Sequence, residues 1–298
     1  MRPYLFFISG FAGMAGMALA HPPLDARFWI AQLPFFLSYG FGQALTDCFQ
    51  TDTDKLSAPY RPLSQGTIRR LDVLVVSVSG LLGCILVLFW LNPYTLVLGS
   101  LSFFGLATYS YVKRNYWPLG PPYNALIVSF LPVMGYLCFS GSTLFEVPGE
   151  VLKVGGILFM SYLIFVLMGY LKDISADRAS GYRTFPVVWG WDATVWVSDL
   201  AYAITLATLF FSGWIKGYGW WLYALAAAVA ILSQASAHFQ REKKETQAAF
   251  AIAGSVRFFL LCCFVIIYSF QPGLWPALVG GYLLFEYILS KRPERTQF

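Results

Sequence analysis

The sequence predicts an all-α protein, a polytopic bundle of nine or ten transmembrane helices. Three observations predict this fold class: the composition, a series of apolar stretches of spanning length, and the placement of the cations. Of the 298 residues, 58% are hydrophobic and only 12% are charged, whereas soluble domains average about 25% charged residues. Because so few charges cannot cover a water-exposed surface, we expect lipid to surround most of the chain.

Ten apolar stretches follow one another along the chain with short connections. A helix needs roughly 20 mostly apolar residues to cross a hydrocarbon core of ~30 Å. In lipid every backbone N–H and C=O group must be satisfied within its segment, so we expect helices rather than open strands. The short connections leave no room for a separate soluble domain, and residues 1–298 are predicted to form one transmembrane domain. The predicted spans are 3–20, 28–47, 72–91, 94–112, 121–141, 154–172, 193–213, 219–237, 250–270 and 274–290.

The first stretch allows two interpretations. Arg2, the apolar run after it and the small residues Ala18-Leu19-Ala20 also resemble a signal peptide with its cleavage site. The positive flank of the stretch agrees with the topology of the other spans. We therefore interpret it as the first membrane span.

The Lys and Arg residues predict the orientation of the bundle. If the N-terminus faces the cytoplasm, so do the connections after even-numbered spans. Of the 20 Lys and Arg residues, only Arg27, Lys153 and Lys216 then lie on the far side and Arg257 inside a span. The positive-inside rule favours this orientation, which places the N-terminus and the chemistry on the cytoplasmic side. The cytoplasmic cations are Arg2, Lys55, Arg61, Arg69, Arg70, Lys113, Arg114, Lys172, Arg178, Arg183, Arg241, Lys243, Lys244, Lys291, Arg292 and Arg295.

Two other features of the composition exclude classes of function. The cysteines show neither a disulfide framework nor a zinc spacing, and we interpret them as small packing residues. The net charge of +5 reflects the cytoplasmic connections and does not indicate nucleic acid as a partner. The five cysteines are Cys48, Cys84, Cys138, Cys262 and Cys263.

A first acidic cluster follows the second span. If that helix continues to residue 54, Asp47, Gln50 and Asp54 share one face at positions i, i+3 and i+7. Asp52 then points elsewhere on the helix. A second cluster follows the sixth span, where Asp173 and Asp177 are spaced i, i+4.

Both clusters are predicted at the same side of the membrane, because four crossings separate the second span from the sixth. Like-charged carboxylates at the edge of a low-dielectric medium repel unless a cation neutralises them. Oxygen ligands without His or Cys favour a hard cation such as Mg²⁺. The alternative is a pair of solvated helix ends that carry ordinary charges.

Basic side chains from three connections surround the same face. Arg and Lys suit a pyrophosphate whose charge Mg²⁺ partly covers. For each of these residues, the alternative interpretation is a cation that only sets the orientation of the protein in the membrane. The candidates are Arg61, Lys113, Arg114, Lys172, Arg178 and Arg183.

These motifs resemble those of the UbiA superfamily of intramembrane prenyltransferases. The superfamily's first motif reads Asn-Asp-x-x-Asp-x-x-x-Asp, followed in some branches by Pro-Tyr-Arg-Pro. The matching residues here are Thr46, Asp47, Gln50, Asp54, Pro59-Tyr60-Arg61-Pro62-Leu63 and Gly66. The second motif, Asp-x-x-x-Asp-Arg-x-x-Gly-x-x-Thr-Leu-Pro-Val, is similar to Asp173, Asp177, Arg178, Gly181, Thr184, Phe185, Pro186 and Val187. An intervening element resembles Tyr109, Lys113, Gly120-Pro121-Pro122 and Asn124.

The resemblance, over roughly residues 1–270, implies a UbiA-like helix bundle and a function. Such an enzyme moves an isoprenoid chain from its diphosphate to an aromatic, quinone-type or lipid acceptor and uses Mg²⁺. Family members usually have nine helices, so the tenth span here is a C-terminal addition or a miscount. The implied catalytic residues are Asp47, Asp54, Asp173 and Asp177, and the metal ligands are these four and Gln50. The implied diphosphate-binding residues are Arg61, Tyr109, Lys113, Asn124, Lys172 and Arg178.

Two departures from the motif keep other functions open. Thr46 replaces the usual Asn, and Gln50 replaces the middle Asp and supplies an oxygen without charge. Terpene cyclases of the same superfamily also carry an altered first motif, so a cyclase is the alternative enzyme. A polytopic transporter is the alternative of another class, although transporters place ionisable residues nearer the bilayer midplane.

Two charged residues inside the spans lead to a structural prediction. Asp199 and Arg257 lie at similar depths, about 10 Å from the cytoplasmic end at 1.5 Å per residue. An isolated charge at such depth is costly, and such residues usually pair. We therefore expect Asp199 and Arg257 to form a buried ion pair or to share one polar network.

Overall fold

The computed structural model describes residues 2–292, and within this range the secondary structure is entirely helical. Arg295, assigned above to the cytoplasmic side, and the two ends of the predicted 1–298 domain lie outside the described residues. Within residues 2–292, ten long helices correspond one to one to the ten predicted spans. They are α1 (Phe6–Leu19), α2 (Ala26–Asp47), α3 (Arg70–Leu91), α4 (Thr95–Asn115), α5 (Gly120–Ser140), α6 (Gly149–Tyr170), α7 (Phe185–Phe211), α8 (Gly219–His238), α9 (Ala249–Phe270) and α10 (Trp275–Ser290).

Most of these helices have the length and composition to cross a membrane. Within the described range, eight helices meet both conditions, and Pro3–Leu19 is a shorter apolar helix. The remaining one, α2, is 22 residues long but carries polar residues such as Gln32 and Gln43 among its apolar ones. The predicted fold class, a polytopic all-α bundle, is confirmed.

The helices pack around α1 and α9, the two most buried ones. Helix α1 contacts α2, α5 and α9, and α9 also contacts α6 and α8. Small residues permit the closest crossing, because a Cβ atom at Gly16 would lie 1.8 Å from the Pro132 carbonyl oxygen and one at Gly135 2.1 Å from that of Gly13. Close backbone approach at glycine is a common way to pack helices in lipid.

The expected pairing of Asp199 with Arg257 is wrong. Arg257 donates to both carboxylate oxygens of Glu286 on α10, at 2.6 and 2.8 Å. The Asp199 carboxylate instead contacts Gln234 Nε2 at 2.6 Å and His238 Nε2 at 2.7 Å, both on α8. Helix α8 packs against both α7 and α9. Asp199 of α7 therefore finds its partners on α8, whereas Arg257 of α9 finds its partner on α10.

The connections after α2 and α6 contain short helices that cover one end of the bundle. Thr51–Ser57 and Pro62–Gln65 follow α2, and Ile174–Ala179 follows α6. Thr51–Ser57 packs against Ile174–Ala179, which brings the two acidic motifs to one end of the bundle. This end is called the polar end below. Helix α7 begins there and changes direction at Gly190, whose φ of 83° favours glycine.

Candidate active site

A cavity opens at the polar end and extends between α2, α3, α4, α5 and α6. Its lining changes from polar to apolar along its length. Asp47, Arg61 and Asp173 lie at the polar end, whereas Leu88 and Met134 lie far inside. The cavity therefore has a charged mouth and an apolar interior.

The first acidic motif lies on a broken helix, not on the continuous one that its spacing suggested. Helix α2 ends at Asp47, Gln50 has non-helical dihedral angles (φ −123°, ψ 23°), and a new helix begins at Thr51. Thr51 and Asp52 are modest helix formers, and water is available where the chain leaves the bilayer. Asp47, Gln50 and Asp54 nevertheless all line the cavity. Asp52 is exposed and pairs with Arg114 at 3.4 Å.

Arg61 neutralises this motif from the connection that follows it. Its Nη1 lies 2.6 Å from Asp54 Oδ2 and 3.6 Å from Asp47 Oδ1. The side chain is buried, and among the described residues no group accepts a hydrogen bond from its Nε. An unpaired buried N–H is costly, and a phosphate oxygen in the cavity would be a suitable acceptor.

The two aspartates of the second motif have different surroundings. Asp173 precedes the short helix Ile174–Ala179 and has a non-helical backbone (φ −116°, ψ 13°). It lines the cavity beside Lys172, whose Nζ lies 3.6 Å from its carboxylate. Asp177 lies inside the short helix, is fully buried and is absent from the cavity lining.

Asp177 instead fixes Lys113 of α4. Lys113 Nζ donates to Asp177 Oδ1 at 3.0 Å, and Thr184 Oγ1 donates to Asp177 Oδ2 at 3.0 Å. The ammonium also lies 4.9 Å from the ring centre of Tyr170 and 5.0 Å from that of Tyr182, within cation–π range. Lys113 lines the cavity. These contacts therefore hold its ammonium group at the cavity wall.

Of four other predicted site residues, three line the cavity and one does not. Tyr109 lines the cavity, and its hydroxyl lies 2.7 Å from that of Tyr170. Asn124 also lines the cavity. Gln50 donates through Nε2 to Ser110 Oγ at 3.0 Å, which leaves its amide oxygen for a ligand. Arg178 is exposed and lies outside the cavity lining.

The sequence analysis missed several residues that shape the site. Arg2, treated only as a topological cation, lines the cavity, and its Nη2 lies 3.8 Å from Asp47 Oδ1. Glu245, from the connection between α8 and α9, accepts hydrogen bonds from the backbone N–H and from the hydroxyl of Ser175. The position of Arg2 directly before the first span could have placed it at the same end as the acidic motifs. No local pattern in the sequence identifies Glu245.

Burial disturbs the ionisation of groups around the mouth. It raises the pKa of Asp54 and the pKa of Asp177, although Arg61 and Lys113, respectively, counteract the effect. Burial also lowers the pKa of Lys172 to about 8, against the attraction of Asp173. Loss of water disfavours each charged form. A bound ion of opposite charge would therefore stabilise the charged forms of these side chains.

The donor set at the mouth fits Mg²⁺ in its chemistry. Within residues 2–292, no three His, Cys, Asp or Glu side chains already form a metal cluster. Asp47, Gln50 and Asp54 line the cavity from the first motif and Asp173 lines it from the second. All four offer oxygen atoms, the ligands that Mg²⁺ prefers. Two carboxylates here pair with Arg61 and one with Lys172, cations that a bound diphosphate would attract.

Proteins of known sequence that resemble this chain point to one family. The chain matches the UbiA prenyltransferase family over residues 6–263. It is 26% identical over 225 residues to digeranylgeranylglyceryl phosphate synthase of Thermococcus sibiricus, covering 70% of this chain and 72% of that protein. It is 30% identical over 244 residues to protoheme IX farnesyltransferase of Alkalilimnicola ehrlichii, covering 77% of this chain and 76% of that protein.

Solved structures share the fold. A UbiA homolog from Aeropyrum pernix superposes with a TM-score of 0.73 at 21% identity, covering 87% of this chain and 96% of that one. A UbiA homolog from Archaeoglobus fulgidus bound to DMAPP and Mg²⁺ gives a TM-score of 0.66 at 16% identity, covering 89% and 96%. Because the family match covers most of the chain, this protein belongs to the UbiA prenyltransferase family and is a multi-pass integral membrane enzyme that transfers prenyl groups.

Proposed function

We propose that the protein is a Mg²⁺-dependent intramembrane prenyltransferase that moves an isoprenoid chain from its diphosphate to a hydrophobic acceptor. One observation carries this proposal: a single cavity joins a mouth of carboxylates and cations to a long apolar interior. A prenyl diphosphate has the same division, with an anionic head and an apolar tail. The Archaeoglobus fulgidus homolog bound to DMAPP and Mg²⁺ supports the assignment.

The cations at the mouth bind the diphosphate. Arg61, Lys113 and Lys172 line the cavity and stabilise the charge that grows on the leaving group as the allylic C–O bond breaks. Asp47, Gln50, Asp54 and Asp173 would hold Mg²⁺, which covers part of the diphosphate charge when bound. Their carboxylates also keep Arg61 and Lys172 at the mouth.

The interior of the cavity protects the reacting carbon. Its apolar wall excludes the water that would otherwise capture an electron-poor allylic carbon. Tyr39, Phe103, Tyr162 and Phe165 line it, and the faces of such rings stabilise positive charge. A nucleophilic atom of the acceptor then forms the new bond to this carbon and loses its proton, while diphosphate leaves.

Two acceptor classes stay open, an aromatic or quinone-type ring and a lipid alcohol. The named relatives act on different acceptors, a glyceryl phosphate lipid and a haem. Consumption of the prenyl diphosphate is therefore the measurement that tests the proposal for either acceptor class. Purified protein in nanodiscs should consume a prenyl diphosphate with Mg²⁺ and a membrane lipid extract, and should stop in excess EDTA. Full turnover in EDTA, or no consumption by folded protein, would overturn the proposal.

A matched pair of variants separates the site from the rest of the polar surface. Asp54→Asn removes a buried carboxylate of the mouth and should lower the rate about 10²-fold, as removal of a single electrostatic group often does. Asp72→Asn removes an exposed carboxylate that pairs with Arg69 on the outside of α3 and should leave the rate unchanged. Equal loss in both variants would point to a general effect of charge instead.

A terpene cyclase is the second candidate function, because Gln50 stands where the family motif has Asp. A neutral residue in the first motif leaves the mouth with one carboxylate fewer than the family pattern. In a cyclase, a double bond of the substrate itself captures the electron-poor carbon. Incubation with prenyl diphosphate alone, followed by mass spectrometry, distinguishes the two: a cyclic hydrocarbon indicates a cyclase, and an acceptor-dependent adduct indicates a transferase.

A further inference from the structure

Helix α10 lies against α1 and reaches the residues that precede α1. Its Phe285 is fully buried, and the centre of its ring lies 5.9 Å from that of Phe7. One turn earlier, a Cβ atom at Gly281 would lie 2.5 Å from the ring of Phe11, so the two helices approach closely there. Helix α10 also contacts the short 3-10 helix Pro3–Leu5. The buried face of α10 is therefore directed at α1 and at the segment before it.

Polar contacts at two levels fix α10 to the bundle. Arg257 of α9 donates to both carboxylate oxygens of Glu286. Gln271, in the connection before α10, donates through Nε2 to the Pro22 carbonyl oxygen at 2.9 Å, which joins this connection to the one between α1 and α2. Such hydrogen bonds resist separation in lipid, because an unpaired polar group there is costly. Helix α10 therefore has a fixed place beside α1, although it lies beyond residue 263, where the family match ends.

The segment Pro3–Leu5 depends on such packing for its structure. It is a single 3-10 turn, in which the Leu5 N–H donates to the Arg2 carbonyl oxygen at 2.9 Å. So short a helix gains little from its own hydrogen bonds, and tertiary contacts stabilise it. Tyr4 and Leu5 are buried, and Arg292, two residues after the end of α10, interacts electrostatically with Tyr4. The neighbours of this turn, α10 among them, therefore determine where it lies.

The turn in turn determines where Arg2 lies. The Arg2 Nη2 atom is 3.8 Å from Asp47 Oδ1 at the mouth of the cavity. With the Gln43 amide oxygen turned toward it, Arg2 also donates to that oxygen through Nη1 at 2.8 Å and through Nε at 3.1 Å. Gln43 and Asp47 are spaced i, i+4 on α2, and both line the cavity. Helix α2 thus holds the guanidinium of Arg2, while the turn Pro3–Leu5 holds its backbone.

We propose that α10 is a positioning element of the diphosphate site, in which Phe285 supports the turn Pro3–Leu5 and so keeps the Arg2 guanidinium at the mouth. The inference rests on the proposed function and goes beyond it, because it gives a helix outside both motifs a part in substrate binding. Phe285 is absent from the cavity lining and acts only through Arg2. A displacement of the turn by about 1 Å would weaken the contact with the diphosphate, since charge-assisted hydrogen bonds depend on geometry.

The kinetics of Phe285→Ala test this role. The substitution removes a buried ring and leaves space into which Phe7 and the turn Pro3–Leu5 can move. The assay uses protein in nanodiscs with Mg²⁺, the lipid extract, and whichever of geranyl, farnesyl and geranylgeranyl diphosphate the wild type consumes fastest. We expect the KM for this substrate to rise about fivefold, less than for complete loss of the Arg2 contact. The kcat should stay within about twofold of the wild type, because loss of uniform binding changes KM alone.

A double-mutant cycle with Arg2→Ala shows whether Phe285 acts through Arg2. If it does, Phe285→Ala should not raise KM further in a protein that already lacks the Arg2 side chain. Leu278→Ala is the matched control, because Leu278 is a buried apolar residue of the same helix that lies about 10 Å nearer the opposite end. It should lower the melting temperature, as Phe285→Ala does, but should leave KM at the wild-type value.

Hydrogen exchange measures the support of the turn independently of activity. In Phe285→Ala, the peptide that contains Tyr4 and Leu5 should exchange its amide hydrogens about threefold faster than in the wild type and in Leu278→Ala. Unchanged exchange, an unchanged KM, or equal increases of KM with and without the Arg2 side chain would each overturn the proposal. If Phe285→Ala does not fold, Phe285→Leu takes its place and the same outcomes decide. If the wild type consumes none of the three diphosphates, the proposed function is refuted, whereas the exchange result still decides whether α10 supports the turn.

Discussion

Gln50 shows how one residue can set the metal requirement of the site. It lines the mouth between Asp47 and Asp54 and donates to Ser110. Gln50→Asp adds a third carboxylate to the motif, and Ser110 can donate to it in return. We expect Mg²⁺ to activate this variant at a roughly tenfold lower concentration, because Mg²⁺ binds a charged oxygen more strongly than a neutral one. The Mg²⁺ activation curve measures this directly.

Gln65→Asp is the control for this prediction. Gln65 is exposed in the short helix Pro62–Gln65 and lies outside the cavity lining, so the same change of charge should not alter the activation curve. An unchanged curve for Gln50→Asp would show that residue 50 does not reach the metal. A new product profile would favour the cyclase.

Arg2 is expected to bind the diphosphate although it lies outside both motifs. It lines the mouth and approaches Asp47. Arg2→Ala removes a cation from the site and should raise the KM for the prenyl diphosphate about tenfold, the effect of losing one charge-assisted contact. Arg27→Ala is the control, because Arg27 lies at the other end of α2, against Phe139 and the Cys138 carbonyl. A KM equal to that of the wild type would remove Arg2 from the binding site.

Asp177 has two possible roles that its kinetics can separate. It is predicted as a metal ligand, yet to reach a metal it would have to leave Lys113 and Thr184. If Asp177 positions Lys113, Asp177→Asn should raise the KM for the diphosphate and leave the Mg²⁺ activation curve unchanged. If it is a ligand, the activation curve should shift to higher Mg²⁺ concentration. The buried contacts favour the first result, and a shifted activation curve would contradict it.

Sequence spacing predicted the site better than it predicted the contacts within it. Asp47, Asp54 and Asp173 were identified because carboxylates are rare in this chain and recur after two spans on one side. The continuous helix that the spacing of the first motif suggested is interrupted, since the backbone leaves helical dihedral angles at Gln50, as it also does at Asp173. Contacts between distant parts of the chain, such as that of Arg2 with Asp47, have no local pattern.

At the scale of elements, the connection between α8 and α9 supports the second motif. Glu245 accepts from the N–H and the hydroxyl of Ser175, at 2.8 Å for the hydroxyl, in the first turn of Ile174–Ala179. Negative charge is favourable at the start of a helix. Two residues before Ser175 lies Asp173, which lines the mouth. The same connection is held a second time, because Lys243 pairs with Asp192 of α7.

We therefore predict that Glu245 positions Asp173. Glu245→Ala should lower kcat/KM roughly fivefold and raise the Mg²⁺ concentration of half-activation, since such a contact contributes about 1 kcal/mol. Glu245→Gln keeps an acceptor oxygen and should recover most of the loss. Glu242→Ala serves as the control, because Glu242 lies in the same connection and forms an ion pair with Lys244 at 2.6 Å. A purely structural role would lower the melting temperature without moving the Mg²⁺ curve.

The charges inside the spans were predicted to be paired, and they are, but with other partners. Depth along a helix is readable from sequence at 1.5 Å per residue, whereas the rotation and neighbours of a helix depend on packing. Arg257 therefore meets Glu286 of α10, and Asp199 meets His238 of α8. The tenth span, which the family model does not cover, is tied to α9 by this Arg257–Glu286 pair.

At the scale of the whole molecule, the cations predict which way the bundle faces. The polar end, with both acidic motifs, carries most of the Lys and Arg residues, and Arg27, Lys153 and Lys216 lie at the other end. Cytoplasmic connections of membrane proteins carry the excess of such residues. We therefore predict that the mouth of the cavity opens to the cytoplasm, so that a water-soluble diphosphate head reaches it from there.

Single-cysteine labelling tests this orientation with little background, because all five native cysteines are free and buried. Gln65→Cys places an exposed thiol at the polar end, and Glu150→Cys places one at the start of α6, at the opposite end. With a membrane-impermeant maleimide, Glu150→Cys should react in intact cells, whereas Gln65→Cys should react only after the membrane is opened. The unsubstituted protein should stay unlabelled in both conditions. The reverse pattern would place the active site outside, and labelling of both variants in intact cells would contradict a single orientation.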